Sequence, residues 1–256
     1  MPEPQKQKEL RSETCPKHGA FKSEHVVMGS MGHHLFVDFW TKCPECKKEE
    51  QLKQKKEEEE RMWREYCESL VNRAQIPNRF REKTLDAYLP TADGQRGALL
   101  VARDYAEYFK GHRAAGRCLL FVGRPGTGKT HLACAIGTAV ARKGNSVLYI
   151  TVAELIRRIR STWNHESRES TSCLLERLGK LDLLILDEVG VQYGSESELS
   201  ILTEILGVRY DNVRPTLLIS NCKVSELPQY LSDRGVDRLR ENGGKVVCFD
   251  WPSHRQ

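Results

Sequence analysis

The chain has 256 residues, of which 39% are hydrophobic and 29% charged, and a formal net charge of +5. This describes a globular protein with room for one α/β nucleotide-binding domain of roughly 180 residues and a small extra module. It excludes a membrane span, since no apolar run approaches the ~20 residues required, and MPEPQKQKEL is no signal peptide, so a cytoplasmic protein is expected.

Residues 1–14 are polar and are expected to form a mobile arm. Two short pairs follow, Cys15-Pro-Lys-His18 and Cys43-Pro-Glu-Cys46. Spaced this way they resemble a zinc ribbon, with a ligand pair at each end of a hairpin, and a closed set of four ligands makes the Zn²⁺ structural. His18 completes the first pair, with His33 or His34 as the alternative fourth ligand. The hairpin is expected within VVMGSMGHHLFVDFW, where Leu35, Val37 and Phe39 alternate after a glycine-rich turn. The zinc-ribbon-like module is thus residues 1–46.

From Lys47 to Arg73, opposite charges three and four apart predict an exposed helix. Its second half adds an apolar stripe of Met62, Trp63, Tyr66, Leu70 and Val71 that must dock on something. Residues 47–75 are therefore a linker helix, and Ile76-Pro77-Asn78-Arg79-Phe80 a turn that opens the domain 76–256. Residues 98–113 look helical. In nucleoside triphosphatases of this layout the segment before the first strand often lines the adenine pocket, which makes Arg79 and Phe80 candidates.

A strand, Cys118–Val122, then leads into Gly123-Arg124-Pro125-Gly126-Thr127-Gly128-Lys129-Thr130-His131 and an apolar helix. Strand, loop and helix in this order make a P-loop that binds ATP. Its backbone N–H groups and helix N-terminus cradle phosphate, Lys129 reaches the β- and γ-phosphates, and the Thr130 hydroxyl meets Mg²⁺. Four further strands are expected at Ser146–Thr151, Leu181–Glu188, Thr216–Asn221 and Lys245–Asp250, separated by helical patterns. The result is a five-stranded, mostly parallel sheet covered on both faces. Asp187, ending the third strand, holds Mg²⁺ through water, and Glu188 polarises the attacking water. Asn221 suits a polar sensor of water or γ-phosphate. Of the nine cysteines, Cys118, Cys134, Cys222 and Cys248 read as small buried hydrophobes.

GRPGTGKTHLACAI, SVLYITVAELIRRIRSTW, LLILDEVGVQ, LLISN and SDRGVDRLRENGGKVVCFDWPSHR, in this order, resemble the AAA+ ATPases of the DnaC helicase-loader and IstB transposition-helper group. The N-terminal pairs resemble those of phage- and prophage-encoded DnaC-like proteins. The resemblance implies sensor 1 at Asn221, a trans-acting arginine finger at Arg238 and the sensor 2 arginine at Arg255. Only six residues follow Asp250, which leaves no room for a C-terminal helical lid and fits the group. It also implies an extra helix after the second strand that touches single-stranded DNA, where Arg157, Arg158, Arg160 and Trp163 supply phosphate contacts and stacking. A second DNA-contacting loop would carry Ser195 and Ser197. The implied function is loading of a hexameric, DnaB-like replicative helicase onto single-stranded DNA by a spiral homo-oligomer, with an IstB-like transposition helper as the alternative.

Overall fold

Apolar runs in the chain become strands because their side chains are claimed on both faces. The computed structural model describes residues 9–28, 37–164, 169–191 and 195–253. These fall into two compact units, residues 1–63 and 64–256.

In the first unit, β1 (Leu10–Cys15), β2 (Gly19–Met28) and β3 (Val37–Trp40) form an antiparallel sheet in the order β1-β2-β3. The expected hairpin is β2–β3. Leu10 to Thr14 are not a mobile arm, as expected, but a strand paired with Ala20–Glu24. Its apolar signal is weak because Cys15 is the one buried residue among its six.

Helix α1 (Pro44–Arg73) starts three residues earlier than its charge pattern announces, which places Cys46 in its first turn. Pairs such as Lys53–Glu57 and Lys55–Glu59 lie one turn apart on its solvated surface, each contributing a few tenths of a kcal/mol at about 0.2–0.5 per pair. Its last turns belong to the second unit, where Cys67, Leu70 and Val71 are buried, whereas Met62, Trp63 and Tyr66 are exposed.

The second unit continues with α2 (Asn78–Arg81), a helical turn where a simple turn was expected after Pro77. The helical pattern before the first core strand resolves into α3 (Asp93–Glu107) and α4 (Phe109–Ala114), broken at Tyr108. Then come β4 (Leu119–Gly123), α5 (Lys129–Arg142), β5 (Val147–Thr151), α6 (Val152–Ser161), α7 (Thr171–Lys180), β6 (Leu183–Val189), α8 (Glu196–Asp211), β7 (Thr216–Ser220), α9 (Pro228–Arg240) and β8 (Lys245–Phe249).

The sheet order is β5-β6-β7-β4-β8, and every neighbouring pair is parallel. Alternate strand residues divide between two apolar layers. Leu119, Phe121, Ile185 and Leu217 pack with α3 and α5, while Leu120, Val122, Leu186 and Leu218 pack with α6 to α9. Strand β4 lies between β7 and the edge strand β8, so its C-terminal end opens beside that of central β7, where ligands of such sheets bind. Cys118 and Cys134 are buried as expected. Cys222 is half-buried, and Cys248 is exposed because β8 is an edge strand.

Candidate nucleotide and metal sites

The loop between β4 and α5 curls because three glycines take positive φ: Gly123, Gly126 and Gly128. Two of them have no room for a side chain. A Cβ on Gly123 would stand 2.3 Å from the Phe249 carbonyl oxygen, and one on Gly128 would stand 2.7 Å from the Tyr88 ring. Gly128, left-handed at φ 98°, is the N-cap of α5, so the first N–H groups of that helix face the loop interior. The Lys129 ammonium lies within the loop and donates to the carbonyl oxygens of Gly123 (2.7 Å) and Arg124 (2.6 Å).

Thr127 is the buried keystone of the turn. Its hydroxyl donates to the Arg124 carbonyl, while its own carbonyl accepts from the Trp251 indole N–H at 2.9 Å and the Tyr88 hydroxyl at 3.4 Å. Burial pushes the Tyr88 phenol up to about 12, so it stays a donor. The Arg124 N–H adds a bond to the Phe249 carbonyl. His131 turns toward the preceding segment, with Nε2 3.1 Å from the Thr84 carbonyl oxygen and its ring edge-on to Tyr88. Desolvation lowers its pKa.

Asp187 is buried at the end of β6, and Glu188 beside it is exposed. The Thr130 hydroxyl donates to Asp187 Oδ2 at 3.0 Å, and the Glu188 N–H donates to Oδ1 at 2.7 Å. The β6–β7 register slips between Leu186 and Val189, and Glu188 takes φ 62°. That bulge breaks the alternation of the strand, so both acidic side chains serve one cavity instead of opposite faces of the sheet. Backbone strain of this kind, on the order of 1–3 kcal/mol, persists only where the surroundings over-determine it. The cavity, of about 350 Å³, is lined by the loop together with Arg79, Phe80, Lys83, Asp187, Glu188 and Asn221. A phosphate-sized anion placed there meets backbone N–H groups, an ammonium, a hydroxyl for a cation and a carboxylate for water.

Arg238 stands elsewhere. Its guanidinium lies over the Tyr210 ring, 5.0 Å from the centroid, in a second cavity that also includes Cys118, Arg209 and Thr216. Cys118 and Thr216 mark the N-terminal ends of β4 and β7, opposite the P-loop, so Arg238 does not reach the nucleotide cavity of its own chain. Arg255 lies outside the described residues, as do His33, His34 and Leu35.

On α6, Leu155, Ile156 and Ile159 face the core. Arg157 and Arg158 both pair with Glu154, and Arg160 lies 3.6 Å from Glu198 in the first turn of α8. Ser195 is the N-cap of α8 and closes a capping box with the same Glu198. The fold thus brings Arg160 and Ser195 to one patch around Glu198. Trp163, two residues beyond α6, is 55% exposed, and Ser197 is exposed in the first turn of α8.

In the first unit, the ligand atoms of Cys15, His18, Cys43 and Cys46 all lie within 4.8 Å of one another. The separations of Cys15 Sγ from Cys46 Sγ, 3.4 Å, and of His18 Nδ1 from the three sulfurs, 3.4–3.7 Å, are tetrahedron edges for metal–ligand distances of about 2.0–2.3 Å. The backbone N–H groups of Lys17 and His18 lower the Cys15 thiol to about 6, favouring the thiolate, while Cys46, which shares a hydrogen with it, is raised to about 11. His18 Nε2 meets Glu49 Oε1 at 3.2 Å, which orients Nδ1 toward the sulfurs. The donor set therefore fits a tetrahedral metal such as zinc.

Four supporting residues escape sequence reasoning. Glu49 carried a faint signal, one turn past Cys46 on α1. Trp251 sits inside a motif whose notable member is an arginine. Tyr88 and Tyr149, which donates to Asp187 at 2.7 Å, carry none, since their roles exist only once distant segments meet.

Among known proteins, the IstB-like ATP binding protein family profile matches residues 58–238. The "Replicative helicase loader DnaC" of Escherichia coli K12 is 38% identical over 184 residues, covering 72% of this chain and 74% of that one. The protein of the same name from Buchnera aphidicola subsp. Schizaphis graminum is 35% identical over 187 residues, covering 73% and 75%. A crystal structure of the DnaC helicase loader superposes with a TM-score of 0.61 at 26% identity, covering 68% of this chain and all of that one. No helix among the described residues is long and apolar enough to cross a membrane.

Proposed function

The chain belongs to the AAA+ ATPase family that joins IstB-like ATP-binding proteins and DnaC helicase loaders, and on that premise we propose that it loads a hexameric replicative helicase onto single-stranded DNA at the expense of ATP. The observation that carries the ATPase is the bulged end of β6, which sets Asp187 and the strained Glu188 beside Thr130 and Lys129 in one cavity.

The ATP phosphates lie over residues 123–131. Lys129 leaves its loop carbonyls for the β- and γ-phosphates, and Thr130 with Asp187 serves the Mg²⁺, which when bound neutralises phosphate charge. Glu188 holds the attacking water and takes its proton, and Asn221 orients that water. Arg238 completes the site of a neighbouring copy, because its place at the far end of the sheet denies it to its own, and Arg255 acts within its own chain. Hydrolysis then depends on assembly into a spiral. Arg157, Arg160, Trp163 and Ser195 line the DNA side of that spiral, with Arg160 exchanging Glu198 for phosphate.

The three-part organisation gives each segment a task. The module of residues 1–46 is held by Zn²⁺ on Cys15, His18, Cys43 and Cys46, the helix of 47–75 carries exposed Trp63 and Tyr66, and together they contact the helicase in the cytoplasm. A phage or prophage source is supported by the cysteine pairs alone. The test is light scattering after size exclusion of this protein mixed with the replicative helicase of its host, with and without ATP. A joint complex, lost with Cys43→Ser, is expected. No complex with any nucleotide, alongside one with a transposase, favours the transposition helper.

A further inference from the structure

Tyr149 and Asp187 make a contact that the P-loop pattern does not require. The phenol donates to Asp187 Oδ2 at 2.7 Å, the oxygen that also accepts from Thr130. With the Glu188 N–H on Oδ1, the carboxylate is held by three donors from β5, α5 and the β6 bulge. Tyr149 is 9% and Asp187 4% exposed. The tyrosine is itself anchored, since its N–H donates to the carbonyl of fully buried Ala74 at 2.7 Å, just past the end of α1. A carboxylate oxygen can only accept, so the phenol is the donor of this bond.

The geometry has a chemical consequence at Thr130. Its hydroxyl hydrogen is directed at Asp187 Oδ2, which leaves the lone pairs of Oγ1 for a cation. This holds only while Oδ2 stays in place. The Cβ–Cγ torsion of an aspartate is broad, and the carboxylate is free to turn when few donors hold it. The phenol removes that freedom. We propose that Tyr149 is a positioning residue for the metal half of the nucleotide site, holding Asp187 in the orientation from which it and Thr130 serve Mg²⁺. This rests on the assignment of Thr130 and Asp187 to Mg²⁺ made above.

The test uses the full-length protein as wild type, Tyr149→Phe and Asp187→Asn. Tyr149→Phe keeps the ring and removes one oxygen. Binding of a fluorescent ADP is titrated against Mg²⁺, and free Mn²⁺ is followed by electron paramagnetic resonance in the presence of ADP. Tyr149→Phe is expected to bind ADP without metal as the wild type does and to need about tenfold more Mg²⁺ or Mn²⁺, as for loss of a residue orienting a metal ligand. A wild-type metal dependence in Tyr149→Phe, while Asp187→Asn has lost it, overturns the proposal and leaves the metal site intact. Equal loss of metal-free ADP binding in Tyr149→Phe makes it a packing residue and also overturns it. A wild-type metal dependence in Asp187→Asn refutes the metal assignment itself, and the proposal with it.

Discussion

Replacing Trp251 by phenylalanine should loosen the P-loop from behind. The indole N–H is the shorter of two donors to the buried Thr127 carbonyl, at 2.9 Å against 3.4 Å for Tyr88. Deleting it leaves a buried acceptor with one long bond, costing about 1–2 kcal/mol. The smaller ring also withdraws from Gly94, whose hypothetical Cβ would stand 3.0 Å from the indole, and from Phe249, 4.7 Å away between centroids. The space left behind adds about 1–2 kcal/mol. The sum, about 3 kcal/mol, corresponds to a fall in Tm of about 6–12 °C for a unit of this size. Nucleotide affinity should fall about tenfold, since the loop must then be ordered by the ligand. The assay is thermal unfolding, following the transition that ADP shifts upward, combined with fluorescent-ADP binding. Tyr88→Phe is the internal control, since its long bond predicts less than about 1 kcal/mol. Equal effects for the two variants, or an unchanged Tm in Trp251→Phe, would refute the anchoring role given to the indole.

Cys43→Ser should lose the zinc while ADP still binds, by metal analysis and fluorescence titration. One zinc per chain retained in that variant contradicts the four-ligand site. Arg238→Ala should bind ATP as the wild type does but hydrolyse it at least a hundredfold more slowly, in line with the ~10³–10⁵ attributed to arginine fingers. Mixed with Lys129→Ala chains it should regain part of the turnover, and no recovery in a proven mixed assembly argues against action in trans. Trp163→Ala should weaken single-stranded DNA binding by about 1–3 kcal/mol with little change in salt dependence, whereas Arg160→Ala should reduce the salt slope by about one contact, both by fluorescence anisotropy.

The sheet and the P-loop were legible because both are written in local sequence. Strands buried on both faces are continuous apolar runs, as in Leu183 to Leu186, and a loop that turns on Gly123, Gly126 and Gly128 needs glycine at those places. The Cys15, His18, Cys43 and Cys46 cluster was legible for the same reason, since two short pairs carry all four of its residues. Strand β1 was not, because only Cys15 of its six residues is buried, so no alternating apolar face marks it. Asp187 and Glu188 were readable as a pair, but the bulge that turns both toward one cavity depends on pairing with β7, more than twenty residues on. Tyr149 and Trp251 act across the fold on atoms dozens of residues away, so no spacing betrays them. The place of Arg238 is tertiary too. Arg234 and Arg240 stand on the same helix, and only the run of α9 back to the N-terminal ends of the strands shows that Arg238 lies far from its own P-loop.

The most direct measurement is strand separation on a forked, single-stranded circle by the host's replicative helicase, with and without this protein and ATP. Unwinding should appear only when the wild-type protein and ATP are both present, and should be lost with Glu188→Gln although that variant still binds ATP and the helicase. Unwinding that is indifferent to this protein, or fully supported by Glu188→Gln, contradicts an ATP-hydrolysing loader.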